Sequence, residues 1–323
     1  MPSLEPLRFR PLLRRYVWGG RRLATQLDRD LPPGDDYAES WEICDRGVDQ
    51  SVVAEGDLAG ATLHELLRDQ PAALVGRHAG LERFPLLFKL LDAQRVLSVQ
   101  VHPDDRRAAQ LTPPDLGKTE AWVVLHAEPG SVIYAGLKRG FDRRAVEREL
   151  HRGTVELCLH KFAPRVGDCV FIPAGAVHAL GAGVMIAEIQ QSSDVTYRLF
   201  DWNRLGSDGQ PRALHLEQGL EAIDFALGPI DPVQPQSTEQ PGVERLVTCE
   251  QFVLERWCVA DRATLPNDDR CRIVLLVEGA IQFGTASKQR PWVRGETGLV
   301  PACCGGVELR SPLPTELLVI YLP

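Results

Sequence analysis

The chain has 323 residues, of which 44% are hydrophobic and 25% are charged, and these fractions are ordinary for a folded globular protein. Its 36 Lys and Arg residues against 44 Asp and Glu residues give a formal net charge of −8. This balance argues against nucleic acid or an anionic membrane surface as the main partner, because both select for a basic surface. No apolar run reaches the roughly 18 residues of a membrane-spanning helix, and the length predicts two domains.

The eight cysteines contain no Cys-x-x-Cys pair, and their density is far below that of a disulfide scaffold. Charged side chains also interrupt residues 1–15, where a secretory signal would need an unbroken apolar segment. We therefore expect reduced thiols and a cytoplasmic protein, with the adjacent Cys303 and Cys304 acting as packing residues.

The predicted elements of the first half are mostly short strands bounded by Gly and Pro. In chain order they are a helix at 62–67, strands at 97–101 and 121–125, a helix at 141–150, and strands at 169–172 and 184–189. Many short strands separated by turn residues are typical of a β-sandwich or barrel, here with appended helices.

A Pro- and Gln-rich segment without periodicity at 228–242 predicts a linker or a long surface connection. Beyond it, strands are predicted at 252–260, 273–283, 297–301 and 315–322. We therefore predict a catalytic domain at 1–235 with helical insertions and a C-terminal all-β domain at 242–323.

The most specific local pattern runs from Gly167 to His178 and has the spacing G-x5-P-x-G-x2-H. A turn at Gly167, a strand and a Pro173-x-Gly175 corner would re-aim the chain so that His178 points into the interior of a barrel. This spacing is the second signature of the cupin barrels. It predicts a mainly β fold built on a cupin barrel, that is, a double-stranded β-helix or jelly roll.

Residues 98–102 alternate polar and apolar side chains, so Ser98, Gln100 and His102 share one face of the predicted strand. Three inward polar side chains are costly unless something satisfies them, and a metal ion would do so. A strand edge that faces solvent is the alternative explanation of the same pattern.

Glu120 begins an apolar strand, and with Gln100, His102 and His178 it completes a set of two imidazoles, one carboxylate and one amide oxygen. That set of N and O donors suits Zn²⁺ and leaves positions for water or substrate. It departs from the usual first cupin motif, because Gln100 replaces the first histidine and a loop separates His102 from Glu120.

A third polar segment begins at Glu188 and passes through Asp194 to Arg198. Its position after His178 favours a wall of the same pocket. A β-bulge with an arginine at a sheet edge is the alternative.

Five linked motifs within residues 5–205 resemble the type I mannose-6-phosphate isomerases, most of all their short bacterial form. They are ESWE at 39–42, FPLLFKLLDA at 84–93, LSVQVHP at 97–103, GKTE at 117–120 and the segment from Glu188 to Arg198. The resemblance implies a zinc enzyme that interconverts mannose 6-phosphate and fructose 6-phosphate, so the partner would be a small sugar phosphate. It implies zinc ligands at Gln100, His102, Glu120 and His178, the family's catalytic arginine at Arg198, and matching lysines at Lys89 and Lys118.

This isomerisation would move a proton between C1 and C2 through a cis-enediolate, with zinc polarising the substrate oxygens. We expect Lys118 or Arg198 to stabilise the developing oxyanion, and Glu188 is the candidate general base. Arg198 cannot easily serve both the chemistry and the phosphate, so its two roles are alternatives. The predicted substrate-binding residues are Lys89, Ser98 and Asp194, and Lys89 with Arg198 is the natural pair for the phosphate.

Aligning Gly295 on Gly167 places Gly306 opposite His178. Because glycine offers no ligand side chain, we predict a degenerate cupin-like second domain with a structural or lid role, and one zinc ion per chain. A monomer or a small homo-oligomer is expected. Two other function classes stay open: a non-haem Fe(II) oxygenase, which uses a two-His-one-carboxylate triad, and a non-catalytic cupin that binds sugar phosphates.

Overall fold

A computed structural model describes residues 4–206, 209–284 and 290–323 and is built mainly of antiparallel strands. The strands up to residue 200 are β1 (Leu7–Arg10), β2 (Leu12–Gly20), β3 (Tyr37–Ile43), β4 (Asp45–Arg46), β5 (Asp49–Gln50), β6 (Val52–Val53), β7 (Leu86–Ala93), β8 (Val99–Val101), β9 (Glu120–Ala127), β10 (Ile133–Leu137), β11 (Leu159–Phe162), β12 (Cys169–Ile172), β13 (His178–Leu180), β14 (Val184–Gln191) and β15 (Tyr197–Phe200).

The later strands are β16 (Gln236–Ser237), β17 (Val243–Thr248), β18 (Val253–Val259), β19 (Arg262–Thr264), β20 (Arg272–Glu278), β21 (Ala280–Phe283), β22 (Trp292–Val293), β23 (Thr297–Val300), β24 (Glu308–Arg310) and β25 (Thr315–Tyr321). The α-helices are α1 (Arg22–Leu27), α2 (Leu63–Asp69), α3 (Pro71–Val75), α4 (Asp105–Ala108), α5 (Arg143–Arg152) and α6 (Leu216–Ala222). None of the helices in the described part of the chain is long and apolar enough to cross a membrane.

The predicted mainly β fold with appended helices is confirmed. The helix expected at 62–67 is α2, and it begins with a capping box in which Thr62 Oγ1 accepts from Glu65 N and the Glu65 carboxylate accepts from Thr62 N. The helix expected at 141–150 is α5, whose first turn is capped by Asp142.

Two facing sheets form the sandwich that holds the predicted site residues. The five-stranded sheet has the order β11-β10-β13-β8-β15, and the six-stranded sheet has the order β12-β9-β14-β7-β3-β2. Apolar side chains from both sheets fill one end of the space between them, among them Ile133, Leu180, Trp122, Val124 and Ile186. Neither sheet closes on itself, so the jelly roll is an open sandwich.

Strand β14 shows how the sequence builds these layers. Val184 and Ile186 point into the sandwich, whereas Met185, Ala187 and Ile189 point to the opposite face of the six-stranded sheet. Because successive side chains alternate between faces, Glu188 and Gln190 continue the inner face toward the other end. One strand therefore supplies core residues and site residues to the same interior.

A second sandwich lies behind the first. It pairs an eight-stranded sheet, in the order β16-β17-β18-β25-β20-β23-β1-β6, with a four-stranded sheet, β19-β24-β21-β22. The eight-stranded sheet also packs against the outer face of the six-stranded sheet. Its strands β1 and β6 come from the N-terminal part of the chain, and Leu7 pairs with Leu299. The sheet thus crosses the predicted division at 235–242, which stays a prediction.

Candidate metal centre and substrate cavity

A buried group of two histidines and a glutamate lies between the two sheets of the first sandwich. His178 begins β13 and pairs across strands with Gln100 of β8, while His102 follows β8 by one residue and Glu120 begins β9 on the facing sheet. His178 Nε2 lies 3.4 Å from Glu120 Oε1, and His102 Nε2 lies 3.6 Å from Glu120 Oε2. One potential ligand atom from each of these three residues lies within 4.8 Å of the other two.

The hydrogen bonds of the two histidines fix their tautomers. His102 Nδ1 lies 2.9 Å from the carbonyl oxygen of Val195, and His178 Nδ1 lies 3.0 Å from that of Ala176. Because a carbonyl oxygen only accepts, each Nδ1 carries the proton and donates it, which leaves a lone pair on each Nε2.

Burial lowers the pKa of His178 to about 4, against the opposing effect of the Ala176 carbonyl. Burial, together with the positive charge of Lys118, also lowers the pKa of His102 well below its usual value. Both imidazoles are therefore neutral at pH 7, which is the form that binds a metal.

The group of acceptor atoms fits a metal cation. Glu120 is fully buried, and neither of its carboxylate oxygens makes a hydrogen bond among the described residues. Lys118 Nζ approaches it as an ion pair, 2.9 Å from Oε2, and also lies 3.1 Å from His102 Nε2. Lys118 is one cation among several buried acceptors that face one another, an arrangement that is costly, and a divalent metal ion would satisfy the remaining acceptors.

The Gln100 amide adjoins this group, with Nε2 3.1 Å from His178 Nε2. The nitrogen and oxygen of an amide exchange places when the group turns over, so Gln100 can offer either a donor or an oxygen ligand at this position. The four side chains predicted as metal ligands are therefore brought together by the fold.

A cavity of about 320 Å³ adjoins the group. Its lining includes every other side chain to which the sequence assigned a role, namely Lys89, Ser98, Lys118, Glu188, Asp194 and Arg198. Lys118 and Gln100 belong both to this lining and to the surroundings of the His–Glu–His group. A ligand in the cavity would thus lie beside the candidate metal position.

Lys89 is committed to two carboxylates on the cavity wall. Its Nζ lies 3.0 Å from Glu188 Oε1 and 3.8 Å from Glu39 Oε2. Burial by itself would lower the pKa of Lys89, but the negative charges of Glu188, Glu39 and Glu120 outweigh it and raise that pKa. Lys89 is therefore a permanent cation whose charge is balanced inside the protein, which weakens the expectation that it binds the phosphate.

Two arginines line the cavity close to solvent. Arg198 lies on β15, and its Nη1 donates to Ala213 O over 3.0 Å at an exposed position. Arg212 Nε donates to Asp201 Oδ2 over 2.7 Å, and both guanidinium groups line the cavity. Burial and the positive charge of Arg212 lower the pKa of Arg198, as expected for two cations that share a site.

Comparison with known proteins gives the family of this chain. Residues 7–118 match the family model described as the catalytic domain of type I phosphomannose isomerase. The mannose-6-phosphate isomerase ManA of Bacillus subtilis is 32% identical over 310 residues, covering 96% of this chain and 97% of that protein. The mannose-6-phosphate isomerase of Streptococcus mutans is 31% identical over 299 residues, covering 92% of each. The chain belongs to the type I phosphomannose isomerase family. The resemblance drawn from the sequence motifs is confirmed.

Solved structures of phosphomannose isomerases share the fold. The mannose 6-phosphate isomerase from Bacillus subtilis superposes with a TM-score of 0.89 at 28% identity, covering 99% of this chain and 100% of that chain. A variant phosphomannose isomerase from Salmonella typhimurium has a TM-score of 0.81 at 14% identity, covers 99% and 100% of the two chains, and supports the fold alone.

Several cavity residues of this phosphomannose isomerase family member were assigned no role by sequence reasoning, although Glu39 and Trp41 belong to a quoted motif. Tyr16 and Trp18 stack with ring centroids 5.5 Å apart, and Trp41 Nε1 donates to Glu39 Oε2 over 2.6 Å. Each pair occupies positions i and i+2 of one strand, and that spacing was the available signal. No sequence motif around Arg212 predicts that it lines the cavity, because its position there depends on the path of the chain after β15.

Proposed function

We propose that this chain interconverts mannose 6-phosphate and fructose 6-phosphate, with one zinc ion held by Gln100, His102, Glu120 and His178. One observation carries the proposal: two neutral imidazoles and a buried carboxylate meet beside a cavity lined by cationic side chains. The relatives that are named mannose-6-phosphate isomerases support the choice of substrate.

Zinc, when bound, polarises the oxygens of a carbonyl compound without any redox change. The protein's part is to present the ligands in their metal-binding forms and to keep them there. The carbonyl groups of Val195 and Ala176 do this by holding the Nδ1 protons of the two histidines.

Proton transfer between C1 and C2, through a cis-enediolate, is assigned to Glu188. This carboxylate is buried, lines the cavity and is fixed by Lys89 at 3.0 Å. Lys118 would stabilise negative charge on the substrate oxygens, because its ammonium group is the cation beside the metal position. Glu39, which shares Lys89 with Glu188, keeps that lysine charged and in place.

The phosphate is assigned to Arg198 together with Arg212. Both guanidinium groups line the cavity, and the Arg198 contact to Ala213 O lies at its exposed side, where a strongly hydrated dianion enters at low cost. This choice gives Arg198 the phosphate-binding role rather than a chemical one. Ser98 and Asp194 remain proposed contacts of the sugar.

A coupled assay of mannose 6-phosphate conversion, run before and after chelation with Zn²⁺ add-back, tests the proposal. We expect turnover that the chelator removes and zinc restores. If zinc-loaded protein bound the sugar phosphate tightly but formed no product, the result would favour the non-catalytic cupin that binds sugar phosphates. Oxygen consumption that depends on Fe²⁺ would point to the oxygenase class.

We also propose a cytoplasmic location, since all eight cysteines are unpaired thiols. Cell fractionation with an antibody against the chain would test it. The predicted monomer or small homo-oligomer stays a prediction.

A further inference from the structure

Lys118 reaches the His–Glu–His group from a segment without regular secondary structure, residues 117–119, directly before β9. Its ammonium group lies close to both Glu120 and His102. A lysine on a flexible four-carbon side chain keeps such a position only if its backbone is fixed. Lys118 N donates to Pro103 O over 3.0 Å, and the hydrogen bonds on either side of Lys118 complete the restraint.

The two backbone N–H groups that flank Lys118 are held by two different side chains. Gly117 N donates to Asp105 Oδ1 over 2.8 Å, and Thr119 N donates to Gln191 Oε1 over 3.0 Å. Gln191 Nε2 donates in turn to Asp105 Oδ1 over 2.8 Å. The amide of Gln191 therefore links both ends of the segment, and its donor and its acceptor are both in use.

Gln191 acts on this segment and does not line the cavity. It is the last residue of β14, where side chains alternate, and its neighbour Gln190 lines the cavity while Gln191 does not. The packing around the segment is close, because a Cβ atom on Gly117 would lie 2.5 Å from Asp105 N. Gly117 thus lets the segment lie directly against the first turn of α4.

We propose that Gln191 and Asp105 are positioning residues for Lys118: together they clamp the backbone on both sides of this lysine and so place its ammonium group beside the reacting oxygens. This inference rests on the proposed function, since Lys118 matters only if the cavity performs the isomerisation. It gives a role to the second glutamine of the pair at 190–191, to which the sequence assigned none.

The decisive variants exchange the amide of Gln191 for a carboxylate and then the carboxylate of Asp105 for an amide. Gln191→Glu keeps the acceptor for Thr119 N but places a carboxylate against Asp105, so the link breaks. We expect kcat to fall about tenfold or more, with KM and zinc content close to those of the parent protein. Combining it with Asp105→Asn removes the charge repulsion and supplies an amide, whose NH2 can donate to the carboxylate introduced by Gln191→Glu while its oxygen accepts from Gly117 N. The double variant should recover most of the lost kcat, a non-additivity that two independent structural defects would not show.

One control separates positioning from stability, and a second clamp variant covers a failure to fold. Thr62→Ala removes the cap of α2, which does not line the cavity, and should lower the melting temperature without changing kcat. Asp105→Ala attacks the clamp from an exposed position and serves if Gln191→Glu does not fold. A Gln191→Glu protein that folds and turns over like the parent would overturn the proposal, as would a kcat loss that Asp105→Asn fails to repair.

Hydrogen exchange of the amides at 117 and 119 gives a readout that does not depend on turnover. We expect these amides to exchange faster in Gln191→Glu and in Asp105→Ala, and to be unchanged in Thr62→Ala. Unchanged exchange in the first two variants would show that no clamp exists. If the parent protein turned over no mannose 6-phosphate, the proposed function would fail while the exchange result still reported on the clamp.

Discussion

Each of the two sandwiches buries a glutamate on its inner face, and the two carboxylates have opposite surroundings. Glu255 on β18 accepts hydrogen bonds from Tyr321 Oη over 2.8 Å, from Trp257 Nε1 over 3.0 Å and from Arg245 Nη2 over 2.9 Å. Glu120 makes no hydrogen bond to any described residue; it faces two histidine lone pairs, and its ion-pair partner is Lys118 at 2.9 Å. A carboxylate with three hydrogen-bond donors in place serves the fold, whereas one that faces two lone pairs and has one lysine as its partner is suited to a divalent cation.

The other side chains in the two interiors differ as well. The second sandwich is filled by large apolar side chains, including the fully buried Trp257, Phe283 and Trp292. All eight histidines of the chain lie before residue 216, so the second interior has no imidazole to offer. Gly306, which the sequence alignment set against His178, lies in a turn with φ of +80°. The second sandwich supports the six-stranded sheet from behind, and the first sandwich provides the candidate site.

Removing the Glu120 carboxylate should have the largest effect on activity. We expect Glu120→Ala to lose its zinc and to lower kcat/KM by at least about 10³-fold, because the metal supplies several kcal/mol of stabilisation to the charged transition state. Metal analysis and the coupled assay would measure both losses. The matched control is Glu255→Gln, which should keep zinc and turnover while it loses stability. A Glu120→Ala protein that retains stoichiometric zinc would contradict the contrast between Glu120 as a metal ligand and Glu255 as a structural residue.

A core substitution in the second sandwich should affect stability alone. Trp292 is fully buried and packs edge-on against Phe283, with ring centroids 4.9 Å apart. We expect Trp292→Ala to lower the free energy of unfolding by about 3–5 kcal/mol, the usual cost of truncating a large buried aromatic side chain. Denaturant unfolding would measure this cost. The kcat of the folded fraction should stay at the parent value, and a specific loss of kcat would instead indicate that the second sandwich shapes the cavity.

The extent to which sequence predicted the site depended on how local each signal was. The grouping of Gln100, His102 and His178 could be predicted because strand alternation and a turn motif fix where those side chains point. The pairing of Lys89 with Glu188 could not be read in this way, since it joins β7 to β14 across a sheet register that no short motif encodes. Gln191 was quoted within a motif, but its partner Asp105 begins α4, far away in the sequence.

Removing Arg212, the second arginine of the proposed phosphate site, should have a moderate effect on substrate binding. We expect Arg212→Ala to raise the KM for mannose 6-phosphate about 10- to 100-fold with a small change in kcat, since a charge-assisted contact is worth about 1.5–3 kcal/mol. Inhibition by inorganic phosphate should weaken in parallel, whereas Arg10→Ala, at an exposed position on β1, should change neither quantity. A lowered kcat with unchanged KM would move Arg212 into the chemistry and reopen the assignment of Arg198.

The smallest expected effect is on the melting temperature and concerns Asp201, the carboxylate that binds Arg212. Burial opposes ionisation of Asp201, but hydrogen bonds from Arg212 and Arg204 outweigh it and hold the pKa of this carboxyl below its usual range. Because the pKa is lower in the folded state than the ordinary value of about 3.9, the ionised carboxylate contributes stability that is fully present above that value and is lost as the pH falls through the lower, folded-state pKa.

Asp201→Asn should therefore lower the melting temperature by about 2 °C per kcal/mol lost at pH 7, and the difference from the parent protein should shrink below about pH 4. Melting curves at pH 7, 5 and 3 would measure it, with the exposed Asp57→Asn as the control. A difference that stayed constant with pH would mean that Asp201 acts through packing rather than charge. The side of the cavity formed by Arg212 would then owe its order to packing and not to its ion pairs.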